Sequence, residues 1–310
     1  MKKIFFAALA LAAMVSCSKE YTIDNNKQVI AFGEAFVNNG TRADYSSGKA
    51  VEAFKVYGTL TGTTTTTVQI FNGANVTKPD GDYYNSENGA YDSSIAWICD
   101  KTQYWVPNTT YNFAAIVDGV AENTTGLPQT IKFTVADGAN NKDLLYATAS
   151  ASVDNNGTVT AGANGLVAFE FNHLLSKVMF TVNSNIGTGY SIKVTGITVT
   201  GVAEKGVYDV VNEEWAQDGT TTTQLTFGNQ DAYETRQILP VNQALNVTIA
   251  YDIYYGSTKI SSATKSGTIP SQTYAKKTVY NITATITANS KIEFTVKSVG
   301  GWTTGSGITL

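Results

Sequence analysis

Residues Asn246–Tyr255 read NVTIAYDIYY, and this stretch decides the fold class. Val247, Ile249, Tyr251, Ile253 and Tyr255 occupy every second position. Successive side chains of a strand point to opposite faces, so this spacing describes a strand with one face against a core. A helix would need apolar residues three and four apart. The same period recurs in both directions along the chain. Lys177–Ser184 aligns Val178, Phe180 and Val182, and Thr278–Thr287 aligns Tyr280, Ile282, Ala284 and Ile286. Ser94–Cys99 aligns Ile95, Trp97 and Cys99, and Tyr111–Val117 aligns Tyr111, Phe113, Ala115 and Val117. Shorter strands fit Thr130–Val135, Leu144–Ser150, Leu166–Phe171, Ile192–Val202, Gln224–Phe227 and Glu234–Leu239.

Turn chemistry separates these runs. Asn72-Gly73, Asp80-Gly81, Asp118-Gly119, Asp137-Gly138, Asn155-Asn156-Gly157 and Asp218-Gly219 supply the positive φ angles that tight connections need. Many short strands with such breaks predict an all-β protein of sandwich type. Thr63–Thr67 and Thr220–Thr223 read as polar loop or edge tracts. The Gly- and Asn-rich stretch Asn155–Gly165 is the best internal break, so two sandwiches are expected, over 43–167 and 168–310.

Composition narrows the function. Only 15% of residues are charged and the net charge is −4, which argues against nucleic acid or an anionic lipid surface as partner. Of two cysteines, Cys17 belongs to an N-terminal signal, leaving Cys99 with no disulfide partner. Stability must then come from sheet packing.

The chain opens with Met1-Lys2-Lys3, an apolar run Ile4–Val15, and Ser16-Cys17. This is a secretory signal ending in a lipobox-like cysteine, with Met14 where Leu is usual. The run is shorter than the roughly 20 residues a membrane-spanning helix needs. Residues 1–16 are therefore expected to be removed and Cys17 to carry lipid, which would anchor the protein to a membrane. Val29–Val37, VIAFGEAFV, then reads as a strand with Ile30, Phe32 and Phe36 on one face. It runs into Asn38–Asp44, a polar stretch holding Arg42. The chain has one other arginine, Arg236. Polar loop tips are where proteases cut, so Arg42–Ala43 is a candidate cleavage bond; the alternative is an ordinary surface turn.

Residues that tempt a catalytic reading lack partners. His173 is the sole histidine, which gives a zinc site or a Ser–His relay little support. Cys99 falls on an apolar face and reads as an inert thiol. Asp80 and Asp82 lack calcium-hand spacing and read as a turn. Glu213 and Glu214 are adjacent and would face opposite ways on a strand, which spoils paired acid–base chemistry beside Trp215. Tyr83, Tyr84, Tyr254 and Tyr255 suit sugar stacking if exposed and core or rim packing otherwise. No phosphate loop or nucleophile elbow is present, and no cofactor, metal or enzymatic activity is expected.

Four stretches, in order along the chain, carry a resemblance. They are the signal with Cys17; Phe32–Ala43, ending Thr41-Arg42-Ala43; Phe171-Asn172-His173-Leu174-Leu175-Ser176-Lys177-Val178; and Tyr280-Asn281-Ile282-Thr283-Ala284 through Lys291 to Trp302. The chain resembles the fimbrillin family of Bacteroidota, the subunits of type V pili. The resemblance implies two transthyretin-like β-sandwich domains, export as a lipoprotein, and cleavage by an Arg-specific protease, here at Arg42–Ala43. Residues 17–42 would then be a propeptide whose strand leaves with it. The emptied groove would accept the C-terminal segment of another fimbrillin subunit, and the protein would pass from the outer membrane into a surface fimbrium. A host glycan or protein receptor is a further implied partner. In this chain the donor candidates are Ile292, Phe294, Val296 and Trp302. Lys291–Val299 also reads simply as the last strand of the second sandwich. A surface-anchored glycan- or protein-binding lipoprotein that does not polymerise is the alternative function.

Overall fold

The computed structural model describes residues 28–37, 51–63, 66–78, 84–85, 90–91, 96–122, 125–229, 233–287 and 292–301. The first half contains β1 (Phe32–Val37), β2 (Ala53–Thr61), β3 (Thr67–Thr77), β4 (Tyr84–Asn85), β5 (Ala90–Tyr91), β6 (Ile98–Cys99), β7 (Thr109–Val117), β8 (Val120–Glu122), β9 (Thr130–Thr134), β10 (Leu145–Val153), β11 (Val159–Thr160) and β12 (Val167–His173). The second contains β13 (Ser176–Asn185), β14 (Tyr190–Ala203), β15 (Lys205–Asp209), β16 (Glu214–Gln217), β17 (Thr222–Thr226), β18 (Arg236–Ile238), β19 (Asn242–Tyr255), β20 (Thr258–Thr273), β21 (Thr278–Thr287) and β22 (Glu293–Gly301). Among the described residues the only helical turns are short 3-10 pieces at Gly138–Asn140 and Ala163–Gly165. The protein is all-β.

The first-half sheet runs β1-β12-β10-β7-β2-β3-β6. Its inward residues, including Phe54, Val56, Phe71, Phe113, Phe169 and Phe171, form one core. Two four-stranded sheets, β18-β13-β21-β22 and β17-β14-β19-β20, share a second core. A further sheet, β16-β15-β9-β8, takes two strands from each half and so bonds the halves together. Val167, near which the boundary between the two sandwiches is expected, is the first residue of β12, which pairs with β10 and β1, and the first-half sheet runs on to His173.

Alternation succeeds where one face meets the core. Val247, Ile249 and Tyr251 are buried, as are Tyr280, Ile282, Ala284 and Ile286. β19 outruns its core, which leaves Ile253 half-buried and Tyr255 58% exposed. Of the strand expected over Ser94–Cys99, Ile98–Cys99 forms β6 and Trp97 a single bridge to Phe32, while Ser94 and Ile95 lie outside the described residues. β2 escapes the period-two rule because both faces are covered: Val56 joins the first core and Tyr57 the second. β20 escapes it for the opposite reason. It is a long polar edge strand in which Ile269 is the one buried residue.

The mid-chain run Phe171–Val178 is the rivet between halves. Leu174 N–H donates to Leu144 O at 3.0 Å, and Lys277 N–H to Leu175 O at 2.9 Å. Ser176 Oγ donates to Ala275 O at 2.8 Å, Lys277 Nζ to Asn172 Oδ1 at 2.8 Å, and Trp215 Nε1 to Leu174 O at 2.8 Å. His173 Nδ1 meets the Asp143 carboxylate in a close hydrogen bond. Burial pushes that carboxyl up, and the His173 contact pulls against it. Trp215→Phe keeps an aromatic ring but strands a buried carbonyl. It is expected to destabilise the chain by about 1–3 kcal/mol in urea titration.

Candidate functional site

The segment Gln28–Val37 fills a slot with a wall on each side. On one side Ile30 N–H donates to Gln103 O at 2.8 Å, Trp105 N–H to Gln28 O at 2.9 Å, and Trp97 N–H to Phe32 O at 2.8 Å. On the other side Val167 N–H donates to Ala31 O at 2.9 Å, and β1 runs parallel to β12. The segment therefore bridges the far end of the sheet, beside β6, to β12, and closes the sheet upon itself. A parallel pair recurs in the second half, where its first strand, β13, runs alongside β21, the strand before the tail.

The side chains match the backbone. Phe32 is 0% exposed, and its ring centroid lies 6.4, 5.5, 5.9 and 6.0 Å from those of Phe54, Phe71, Phe113 and Phe169. Ile30 and Ala35 are also buried. Of the expected face of Ile30, Phe32 and Phe36, the first two are in the core, and the side chain of Phe36 is not described. The register slips between Phe32 and Ala35, so that Phe32 pairs with Val167, Ala35 with Phe169, Phe36 with Glu170 and Val37 with Phe171. One extra residue reverses the parity, and Ala35 and Val37 take up the core side. The alternation in the sequence carried no sign of this bulge. Gly33 offers a trace of it, since a Cβ there would lie 2.9 Å from Leu166 Cβ.

Cys17, Arg42, Ala43 and Trp302 lie outside the described residues. Arg236, the second arginine, lies in β18 and is 7% exposed. Its guanidinium reaches Asp137 at 3.4 Å, the Thr235 carbonyl at 3.2 Å and, most closely, the Glu234 carboxylate. Burial works to raise the Asp137 carboxyl. Hydrogen bonds from Thr226 N–H at 2.9 Å and Thr226 Oγ1 at 2.8 Å outweigh it and hold the carboxyl below the usual range.

The tail strand β22 lies at a sheet edge, antiparallel to β21, with Ile282 opposite Val296 and Ala284 opposite Phe294. Ile292 is buried, Phe294 and Val296 are half-buried, and Val299 is 47% exposed. Phe294 leans over Gly267, where an added Cβ would come within 2.7 Å of its ring. In this state the tail is the last strand of its own second half.

Residues 41–302 match the model of the fimbrillin-like family. The chain belongs to that family. No curated protein matches it. Its fold is similar to that of a fimbrial protein from Bacteroides vulgatus, at 20% identity and a TM-score of 0.58, covering 89% of this chain and 100% of that one. Two putative cell adhesion proteins are also similar. The one from Bacteroides uniformis has 14% identity, a TM-score of 0.53 and coverage of 90% and 99%. The one from Bacteroides ovatus has 12% identity, a TM-score of 0.55 and coverage of 89% and 98%.

In this fimbrillin-like chain the tempting residues have structural duties. Burial raises the Cys99 thiol above its ordinary value, which disfavours the reactive thiolate. Glu213 holds Lys276 at 2.7 Å, and Lys276 also donates to Tyr208 OH at 3.0 Å. Trp215 spends its N–H on Leu174, and its ring lies 3.0 Å from where a Cβ on Gly206 would stand. Tyr255 is exposed and tilts against Tyr190 with centroids 5.1 Å apart. Asp80, Asp82 and Tyr83 lie outside the described residues, and the side chain of Tyr84 is not described.

The slot and the buried arginine each make a measurable difference to stability. Phe32→Ala in the uncut chain is expected to cost about 3–5 kcal/mol in urea unfolding, as for other enclosed aromatics. Asp137 has a folded-state pKa below its unfolded one, so its stabilisation is complete above about pH 4 and fades as pH falls through the lowered value. Asp137→Asn should be less stable at neutral pH and lose less stability on acidification.

Proposed function

We propose that this protein is a structural and adhesive subunit of a surface fimbrium. It is exported as a lipoprotein modified at Cys17, matured by an Arg-specific protease at Arg42–Ala43, and assembled with other fimbrillin subunits by β-strand exchange. The observation that carries this reading is the placement of β1. A terminal segment of the chain supplies the fully enclosed Phe32 and is backbone-bonded on both sides. Its loss would leave unpaired amides and carbonyls along Trp97–Trp105 and along β12, together with an apolar trough. An extended strand satisfies both needs at once. The two arginines support the same reading. Arg42 follows β1 in a polar stretch, whereas Arg236 is buried within a strand. An Arg-specific protease would then find one open bond. Membership of the fimbrillin-like family, and a fold similar to that of a fimbrial protein, agree with a subunit role.

The test is limited digestion of the purified full chain with an Arg-specific protease. N-terminal sequencing should return Ala43, and only the cut chain should form sodium dodecyl sulfate-resistant ladders. Arg42→Ala should stay whole and monomeric. Ladders formed equally well by the Arg42→Ala chain would remove the basis for strand exchange.

A further inference from the structure

β14 and β19 run past the end of the second core. Val194 opposite Tyr251 is their last buried pair, Ile192 opposite Ile253 is half-buried, and Tyr190 opposite Tyr255 is 45% and 58% exposed. Among the described residues no other aromatic side chain is so exposed. Apolar residues scattered singly over a surface need no explanation. These two are not scattered: their rings adjoin, with centroids 5.1 Å apart and planes at 57°.

The backbone beneath holds both rings in place. The turn before β14 carries Gly187 at φ +120° and Gly189 at φ +81°, conformations that favour glycine. A Cβ on Gly189 would lie 2.9 Å from Tyr255 Cε2, and one on Gly187 would lie 3.7 Å from Tyr190 Cδ2. Tyr190 N–H donates to Gly187 O at 3.3 Å, and Gly256 N–H donates to Gly189 O at 3.1 Å. The second bond ties this turn to the hairpin between β19 and β20. The aromatic surface is therefore set before any ligand arrives, which lowers the ordering cost of binding.

The surroundings select the ligand. Thr188, Ser257 and Thr258 flank the pair in the two turns, and all three are exposed, uncharged and hydroxyl-bearing. Lys193, Asp252 and Lys259 stand on the alternate face of the strands, with Lys259 Nζ 2.8 Å from the Asp252 carboxylate. Two rings cover far less than the roughly 800 Å² per partner of a stable protein–protein contact. They match the size of one disaccharide. A β-linked pyranose presents a face of axial C–H groups rimmed by hydroxyls, which stacks on an aromatic ring while its rim bonds to polar neighbours.

We propose that Tyr190 and Tyr255 form a shallow site for a neutral β-linked disaccharide unit, with one sugar ring stacked on Tyr255 and the hydroxyls of Thr188, Ser257 and Thr258 bonding its rim. This inference rests on the adhesive part of the proposed function, to which it gives a place and a ligand class, and not on cleavage or strand exchange. Weak binding at one such site suits a repeated subunit, because linked copies engage a glycan surface together.

The test is saturation-transfer NMR on the whole, uncut chain, with cellobiose and lactose as probes and mannitol as a hydroxyl-rich control without a ring. Saturation should pass to the axial ring protons of either disaccharide and not to mannitol. Tyr255→Ala should weaken binding about tenfold or more, and Tyr190→Ala should also weaken it. Tyr255→Phe should keep affinity within about fivefold, and all three variants should unfold at the midpoint of the parent. Transfer to neither disaccharide would overturn the inference, as would transfer undiminished by Tyr255→Ala. Ladder formation after cutting at Arg42 is measured alongside and should be the same with Tyr255→Ala. Its loss in that variant alone would make the ring pair a contact between subunits and overturn the sugar site. Ladders absent from every cut chain would count against strand exchange and leave a sugar-binding result standing.

Discussion

Phe32 lies enclosed by Phe54, Phe71, Phe113 and Phe169, on a strand whose backbone is bonded to a neighbour on each side. Sheet closure and the first core depend on that placement, and so does the groove that the proposed strand exchange would need. The four surrounding rings come from β2, β3, β7 and β12, so one side chain touches strands spread across the whole first-half sheet. A segment in this position is an integral stave of the first half. It differs from the corresponding β13 of the second half in one respect: it lies near the chain's N-terminus, upstream of a polar stretch with an arginine in it.

That arrangement explains why cleavage would matter. As long as β1 is covalently attached, its effective concentration at the slot far exceeds that of any free strand, and a neighbour's tail competes poorly. The tail is also docked at home on β21. Under the proposed maturation, cutting the connection would turn β1 into a separate, dissociable peptide, and the balance would shift toward an incoming strand present at high local density. The rivet at Phe171–Val178 and the shared β16-β15-β9-β8 sheet would hold the two halves fixed while this happens.

Much of this was legible in the residues. Asn246–Tyr255, Lys177–Ser184 and Thr278–Thr287 announced their strands because each has one face on the core and one toward solvent. Val29–Val37 announced a strand but not its bulge, since local alternation carries no information about a partner's register. β2 was hidden by burial on both faces and β20 by exposure on nearly all of its residues, two conditions that erase period-two contrast. The mid-chain run His173-Leu174-Leu175-Ser176-Lys177, part of the resemblance, shows no local reason for its residues. Its reason is tertiary, in hydrogen bonds to Leu144, Ala275 and Trp215 that are distant in sequence. The burial of Arg236 was equally invisible, because it depends on Asp137 and Glu234 gathering around it.

The most direct test of β1 as a removable stave is amide hydrogen exchange over 97–105 and 167–171 in three samples: whole chain, chain cut after Arg42 and freed of its N-terminal peptide, and assembled polymer. The account predicts protection in the first, its loss in the second and its return in the third, with little change in β19 or β21. Protection of both walls that is unaltered by removal of the peptide would contradict it.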